Sequence, residues 1–163
     1  MASLPADLPA DFGTAFAKLS ALSKLGVEDM KLMALLESAG EPLYARLADA
    51  VAPEEAKTLL RQNGREETAH ANRLKKAIEI LTGEPYEIPP LDENPYGEPP
   101  AMEKITPELL RGLVQAEFGG DSLYHGYAEN EENAEVAKLL RQNGREETQH
   151  GKRVEQVIEL LGG

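Results

Sequence analysis

Residues 59–83 read LLRQNGREETAHANRLKKAIEILTG, and residues 139–163 read LLRQNGREETQHGKRVEQVIELLGG, with 16 of 25 positions identical at an offset of 80 and no gap. The same offset pairs Glu28 with Glu108, Glu37 with Glu117, Gly40 with Gly120 and Tyr44 with Tyr124. A duplicated unit restricts the fold more than local propensity does, because each copy buries its apolar face against its neighbour. The chain therefore divides into repeat one, residues 26–83, and repeat two, residues 106–163.

Working outward, each unit carries two helical patterns, over 27–49 and 53–82 in the first and over 107–129 and 133–161 in the second. Thr106, Pro107 and Glu108 form a strong helix start: a hydroxyl that caps free amides, a residue with no amide to leave unpaired, and a negative charge at the positive end of the dipole. Residues 84–105 hold six prolines, which exclude a regular helix or central strand and leave an extended Pro-rich crossover. Residues 11–25 predict a short N-terminal helix with Phe12, Phe16, Leu19 and Leu22 on one side. The expected fold is all-α: a four-helix bundle of two repeated hairpins joined by a long crossover, with 1–163 as a single domain.

Composition narrows the function classes. The 163 residues carry a net charge of -12, with no basic patch, so neither nucleic acid nor an anionic membrane surface is an expected partner. Zero cysteines exclude disulfides, thiol catalysis and cysteine-based metal knuckles, so any metal must be held by Asp, Glu and His. The N-terminal stretch MASLPADLPADFG lacks the basic start and apolar run of a secretory signal, and the cytoplasm is the expected location.

The chemistry lies in the apolar periodicity. Leu60, Glu67, Leu74 and Leu81 are spaced by seven, with Asn63, His70 and Ala77 in the adjoining line; Leu140, Glu147, Val154 and Leu161 repeat the pattern beside Asn143, His150 and Val157. On the first helix of each unit, the stripes Met33, Glu37, Gly40, Tyr44, Leu47 and Leu113, Glu117, Gly120, Tyr124, Tyr127 each bury one glutamate. Four carboxylates and two imidazoles thus fall on one level of an apolar bundle. Such a set repels itself in low dielectric unless cations or protons compensate it, and two divalent metals would do so. Glu and His three apart share a helix face, so Glu67-x-x-His70 and Glu147-x-x-His150 can each reach inward together. The duplication places Glu37 and His70 at one metal and Glu117 and His150 at the other, with Glu67 and Glu147 bridging.

Two E-x-x-H motifs in matching frames, each preceded by a single glutamate 30 residues earlier, resemble the ferritin-like di-iron carboxylate superfamily, and within it the rubrerythrin-like group. The resemblance spans both units and implies a ferritin-like bundle with two iron ions, or manganese or a mixed pair, that reacts with dioxygen or hydrogen peroxide as a peroxidase or ferroxidase. A full rubrerythrin also carries a rubredoxin-like domain built on four cysteines. This chain has none, so the resemblance implies an external electron donor. Bundles of this kind commonly form homodimers. Many rubrerythrins add a glutamate near the single ligand of the third helix; Asp121 and its match Glu41 are the nearest acids here and are not counted as ligands.

Residues around the proposed ligands carry further expectations. Glu66 and Glu146 fall one step off the stripe and are expected to face solvent. Asn63 and Asn143 either orient Glu67 and Glu147 or join helices. Tyr44 and Tyr124 are expected to pack in the core, with a hydrogen bond to a ligand or electron carriage as the alternative, and Gly64 and Gly144 to allow close helix approach, with an opening for a small oxidant as the alternative. His125, matched by Ala45, is expected at the surface or at an interface. Rival functions make different demands: an iron-storage ferritin needs a closed shell, and a metal-free interaction module would bind through the crossover. A hydroxylase needs a pocket element that the sequence does not display.

Overall fold

The computed structural model describes residues 4–102 and 104–163, which form six helical segments and no strand: α1 Phe12–Ser20, α2 Val27–Ser38, α3 Gly40–Ala50, α4 Glu54–Thr82, α5 Pro107–Glu129 and α6 Ala134–Leu160. The starts follow local chemistry. Asp11 accepts from the Thr14 amide, Thr106 from Leu109, and Asn133 from both Glu135 and Val136, so orphan amides are satisfied by side chains. Gly83 ends α4 in the left-handed conformation at φ 73°, where a residue with a Cβ would be strained.

One expectation is corrected here. The first helix of repeat one, expected to run unbroken over 27–49, is interrupted at Ala39, whereas its counterpart α5 is continuous. Pro42 supplies the reason: it has no amide to donate to the Ser38 carbonyl, and its ring crowds that turn. Repeat two has Ser122 at this position. The crossover is pinned beside the break, since Asn94 donates to the Leu35 carbonyl at 2.8 Å and to Ser38 Oγ at 3.0 Å.

Helix α4 packs against α2, α3 and α6, and α5 packs against α6, which closes the four-helix bundle. Its core is split into two apolar clusters. One joins α1 and α2 to Leu74 and Ile78 of α4, Tyr127 of α5 and Leu140 of α6; the other joins Leu47, Leu60, Leu110 and Val157. The two central helices therefore run antiparallel, and the polar level lies between the clusters. Residues 84–102, 104 and 105 contain no helix or strand, as six prolines require, and carry the chain back along α2 and α3. Arg46 holds this segment by donating to the Pro99 and Pro100 carbonyls at 2.7 and 3.2 Å. The N-terminal helix is shorter than the expected 11–25 and docks through buried Leu19, whose carbonyl accepts from Tyr127 at 2.5 Å. Leu81 and Leu161, assigned to the core line, are each 37% exposed: Leu81 lies in the last turn of α4 and Leu161 just past the end of α6. Among the described residues, no helix is long and apolar enough to cross a membrane.

Candidate metal centre

All six proposed residues are buried: Glu37 and Glu117 on the first helix of each hairpin, Glu67, His70, Glu147 and His150 on the second. The structure brings them together. His70 Nδ1 lies 3.6 Å from Glu37, 3.5 Å from Glu67 and 3.4 Å from Glu147. His150 Nδ1 lies 3.8 Å from Glu117, 3.4 Å from Glu67 and 3.7 Å from Glu147. Each imidazole thus faces its own unit's single glutamate and shares Glu67 and Glu147 with the other imidazole. The two rings stack, with centroids 5.0 Å apart.

Neither ring nitrogen of either histidine makes a hydrogen bond. A buried polar atom without a partner is costly, so this is the test of whether a cation fits. Carboxylate oxygens at 3.4–3.8 Å from the Nδ1 atoms are too far for good hydrogen bonds, but an ion bonded to each at about 2 Å can stand between them. Among the described residues, Glu67, His70, Glu147 and His150 present ligand atoms within 4.8 Å of one another, a cluster that can bind metal.

The buried acids and imidazoles shift one another's ionisation. Burial would lower both imidazoles, but the surrounding carboxylates outweigh it, raising His70 far above its ordinary value and His150 to about 12. Burial pushes Glu67 up to about 7, reinforced by the charges of Glu117 and Glu37, and raises Glu147 for the same reasons. Burial acts against Glu37 too, yet His70, Glu67 and Tyr124 overcome it and hold the carboxyl at about 2. Glu117 is likewise lowered against its burial, by Glu147 and His150.

The supports cross between the units. Tyr44 donates to Glu117 and Tyr124 to Glu37, so the buried tyrosines, expected chiefly as packing, also fix the two single glutamates. Asn63 donates to the His150 carbonyl at 3.1 Å and Asn143 to the His70 carbonyl at 3.2 Å, which assigns both to joining α4 and α6. Thr68 donates to Glu41 at 2.8 Å and Thr148 to Asp121, so these acids brace the E-T-x-H turns from the neighbouring helix. His125 is half exposed, as expected, and pairs with Asp121 at 2.8 Å.

Glu66 and Glu146 overturn an expectation. Instead of facing solvent they lie between α4 and α6, where Arg153 donates to Glu66 at 2.6 Å and Arg73 makes a two-point pair with Glu146. Glu146 also sits 3.4 Å from His70 Nε2, and Glu66 4.0 Å from His150 Nε2, on the side of each ring away from the other carboxylates. Burial raises Glu146, but His70 and Arg73 hold it at about 2. One step off a helix stripe is solvent on an isolated helix but an interface where two helices cross closely. The available signal was identity: both glutamates and both arginines recur at the offset of 80.

The glycines explain the close approach. A Cβ on Gly64 would lie 3.2 Å from Tyr44 Cβ, and one on Gly144 3.1 Å from Tyr124 Cβ. On Gly40 it would lie 2.7–3.0 Å from the Glu67 side chain, so this glycine is what lets Glu67 reach the centre.

A family model described as Rubrerythrin matches residues 33–158, taking in nearly all of both hairpins. The chain belongs to the rubrerythrin family. No curated protein and no solved structure matches it. For a rubrerythrin, a ferritin-like di-iron carboxylate protein, a buried layer of Glu and His in the middle of the bundle is the expected place for metal. The matched span starts inside α2 and leaves α1 outside.

Proposed function

We propose that the chain holds two iron ions among Glu37, Glu67, His70, Glu117, Glu147 and His150 and uses them to react with hydrogen peroxide or dioxygen. The observation that carries this reading is the pair of buried Nδ1 atoms without hydrogen bonds, each facing three carboxylates, two of them common to both. Glu37 with His70 and Glu117 with His150 would hold one ion each, and Glu67 and Glu147 would bridge. When bound, a ferrous pair supplies the two electrons that reduce peroxide with two protons to two waters.

The residues divide the remaining work. Binding displaces the Nδ1 protons and the protons favoured on Glu67 and Glu147, so affinity rises with pH through the neutral range. Glu146 and Glu66 face the Nε2 atoms and favour the tautomer whose Nδ1 is free to bind metal. Tyr44 and Tyr124 hold Glu117 and Glu37 in place as charge changes. The glutamates keep 5–7% exposure while both imidazoles keep none, so an oxidant arrives from the carboxylate side. Re-reduction is assigned to an external donor, as the resemblance implies for residues that hold no four-cysteine rubredoxin-like centre. All six residues come from one chain, so the centre needs no second copy to be complete.

The test is anaerobic loading with ferrous iron, washing, metal counting, and rapid mixing with peroxide and separately with air. Two retained irons per chain are expected. Fast peroxide turnover makes the protein a peroxidase, and preferential oxidation by air a ferroxidase. Retention of manganese alone moves the reading to that metal. No retained metal overturns it.

A further inference from the structure

The two histidines have a second flank, turned away from the four proposed ligand carboxylates, and it is charged. Glu146 lies 3.4 Å from His70 Nε2 and Glu66 4.0 Å from His150 Nε2. Behind each acid stands an arginine from the opposite long helix: Arg73 makes a two-point pair with Glu146, and Arg153 donates to Glu66 at 2.6 Å. An asparagine fixes each guanidinium in turn. Arg73 donates to Asn143 Oδ1 at 3.1 Å and Arg153 to Asn63 Oδ1 at 3.0 Å, while these asparagines donate to the carbonyls of His70 and His150 respectively.

Charge balance distinguishes these arginines from an ordinary ion pair between helices. Four ligand carboxylates balance two ferrous ions, and neutral imidazoles add nothing. Glu66 and Glu146 therefore bring two negative charges that a ferrous pair does not need, and left alone they would favour the more highly charged ferric state. Arg73 and Arg153 cancel them, and a guanidinium keeps its charge at any working pH. The four side chains are only 18–24% exposed, so solvent screens them incompletely. Other arginines that recur at the offset of 80 do not reach the centre: Arg61 pairs with exposed Asp49 at 3.4 Å, and Arg65 and Arg145 lie exposed.

We propose that Arg73 and Arg153 are positioning residues that act through Glu146 and Glu66 to hold up the reduction potential of the metal pair, so that an external donor can restore the ferrous state. This deepens the iron reading and rests on it.

The test is the midpoint potential of the iron-loaded, full-length protein, measured by equilibrium titration with redox mediators. Arg73→Gln leaves Glu146 uncompensated and should lower the midpoint by at least about tenfold in ferric-to-ferrous preference, roughly 59 mV for one electron. Glu146→Gln leaves the guanidinium uncompensated and should raise it. The double variant removes both charges and should return close to the unchanged protein, and Arg73→Lys, which keeps the charge, should lower the midpoint less than Arg73→Gln. Arg153 and Glu66 should give the same signs, and they supply the measurement if a variant of the first pair does not fold. A purely structural ion pair would be disturbed alike by loss of either partner, so shifts of one sign in the Arg and Glu variants, or none, overturn the proposal. Failure of the unchanged protein to retain iron overturns the iron reading and this inference with it; iron retained with an unmoved midpoint overturns this inference alone.

Discussion

The two hairpins present the same metal-facing residues on differently built frames. Repeat one breaks its first helix at Ala39 because of Pro42; repeat two runs through with Ser122. A Cβ on Gly40 would strike Cγ and Cβ of Glu67 at 2.7 and 2.9 Å, whereas one on Gly120 would meet Cδ and Cγ of Glu147 at 3.3 and 3.4 Å. Beside the histidines, repeat one has Ser38 and Ala71 where repeat two has Phe118 and Gly151, and a Cβ on Gly151 would lie 2.5 Å from the Phe118 ring. After duplication, then, the positions facing the buried cluster stayed paired while the packing around them diverged, because packing needs only its total volume conserved.

The largest expected effect tests that inequality directly. Gly40→Ala should destabilise by about 1–3 kcal/mol and displace Glu67, with iron stoichiometry falling below that of the unchanged protein. Gly120→Ala should be near neutral, because the tip of Glu147 can move and alanine regains up to about 1 kcal/mol of helix propensity. Urea unfolding with metal counting compares them, and equal losses would erase the asymmetry.

A second comparison exchanges packing between the units. Gly151→Ala alone should cost about 1–3 kcal/mol by overpacking. Adding Phe118→Ser, which reproduces the residues of repeat one, should recover part of that loss as a favourable coupling in a double-mutant cycle. Strict additivity would show that the ring and the glycine do not share one space.

The tyrosines should behave alike, since their cross-unit bonds are the same. Tyr44→Phe and Tyr124→Phe each leave a buried carboxylate short of a donor, at a cost of about 1–3 kcal/mol in metal-free protein, measured by the same unfolding assay. A large difference between them would carry the asymmetry of the frame into the centre itself.

A further effect is a pH slope in metal-free protein. A carboxyl raised in the fold, like Glu67 at about 7, binds its proton more tightly folded than unfolded. It therefore withdraws stability as pH rises from its ordinary value near 4.5 to about 7, and adds no slope beyond. Glu37, lowered to about 2, contributes stability above its ordinary value that is lost as pH falls toward 2. Denaturation midpoints between pH 4.5 and 7 should decline, and Glu67→Gln should flatten the decline.

Much of the fold could be read from the repeat and the prolines. The offset of 80 implied two hairpins, and six prolines implied a crossover without helix or strand. The break at Ala39 was also written in the chain, as Pro42 against Ser122, but continuous apolar periodicity across it masked the missing amide. Glu66 and Glu146 were misread because helical periodicity describes one helix against an average core, while their environment is set by how closely α4 and α6 cross.

By itself the sequence determined what is periodic and local: helix positions, caps, and which polar side chains share a buried stripe. Only the tertiary structure decided which acids the arginines neutralise and which tyrosine serves which unit's glutamate. Those outcomes depend on distances between segments far apart in the chain, which packing sets and spacing along one helix does not record.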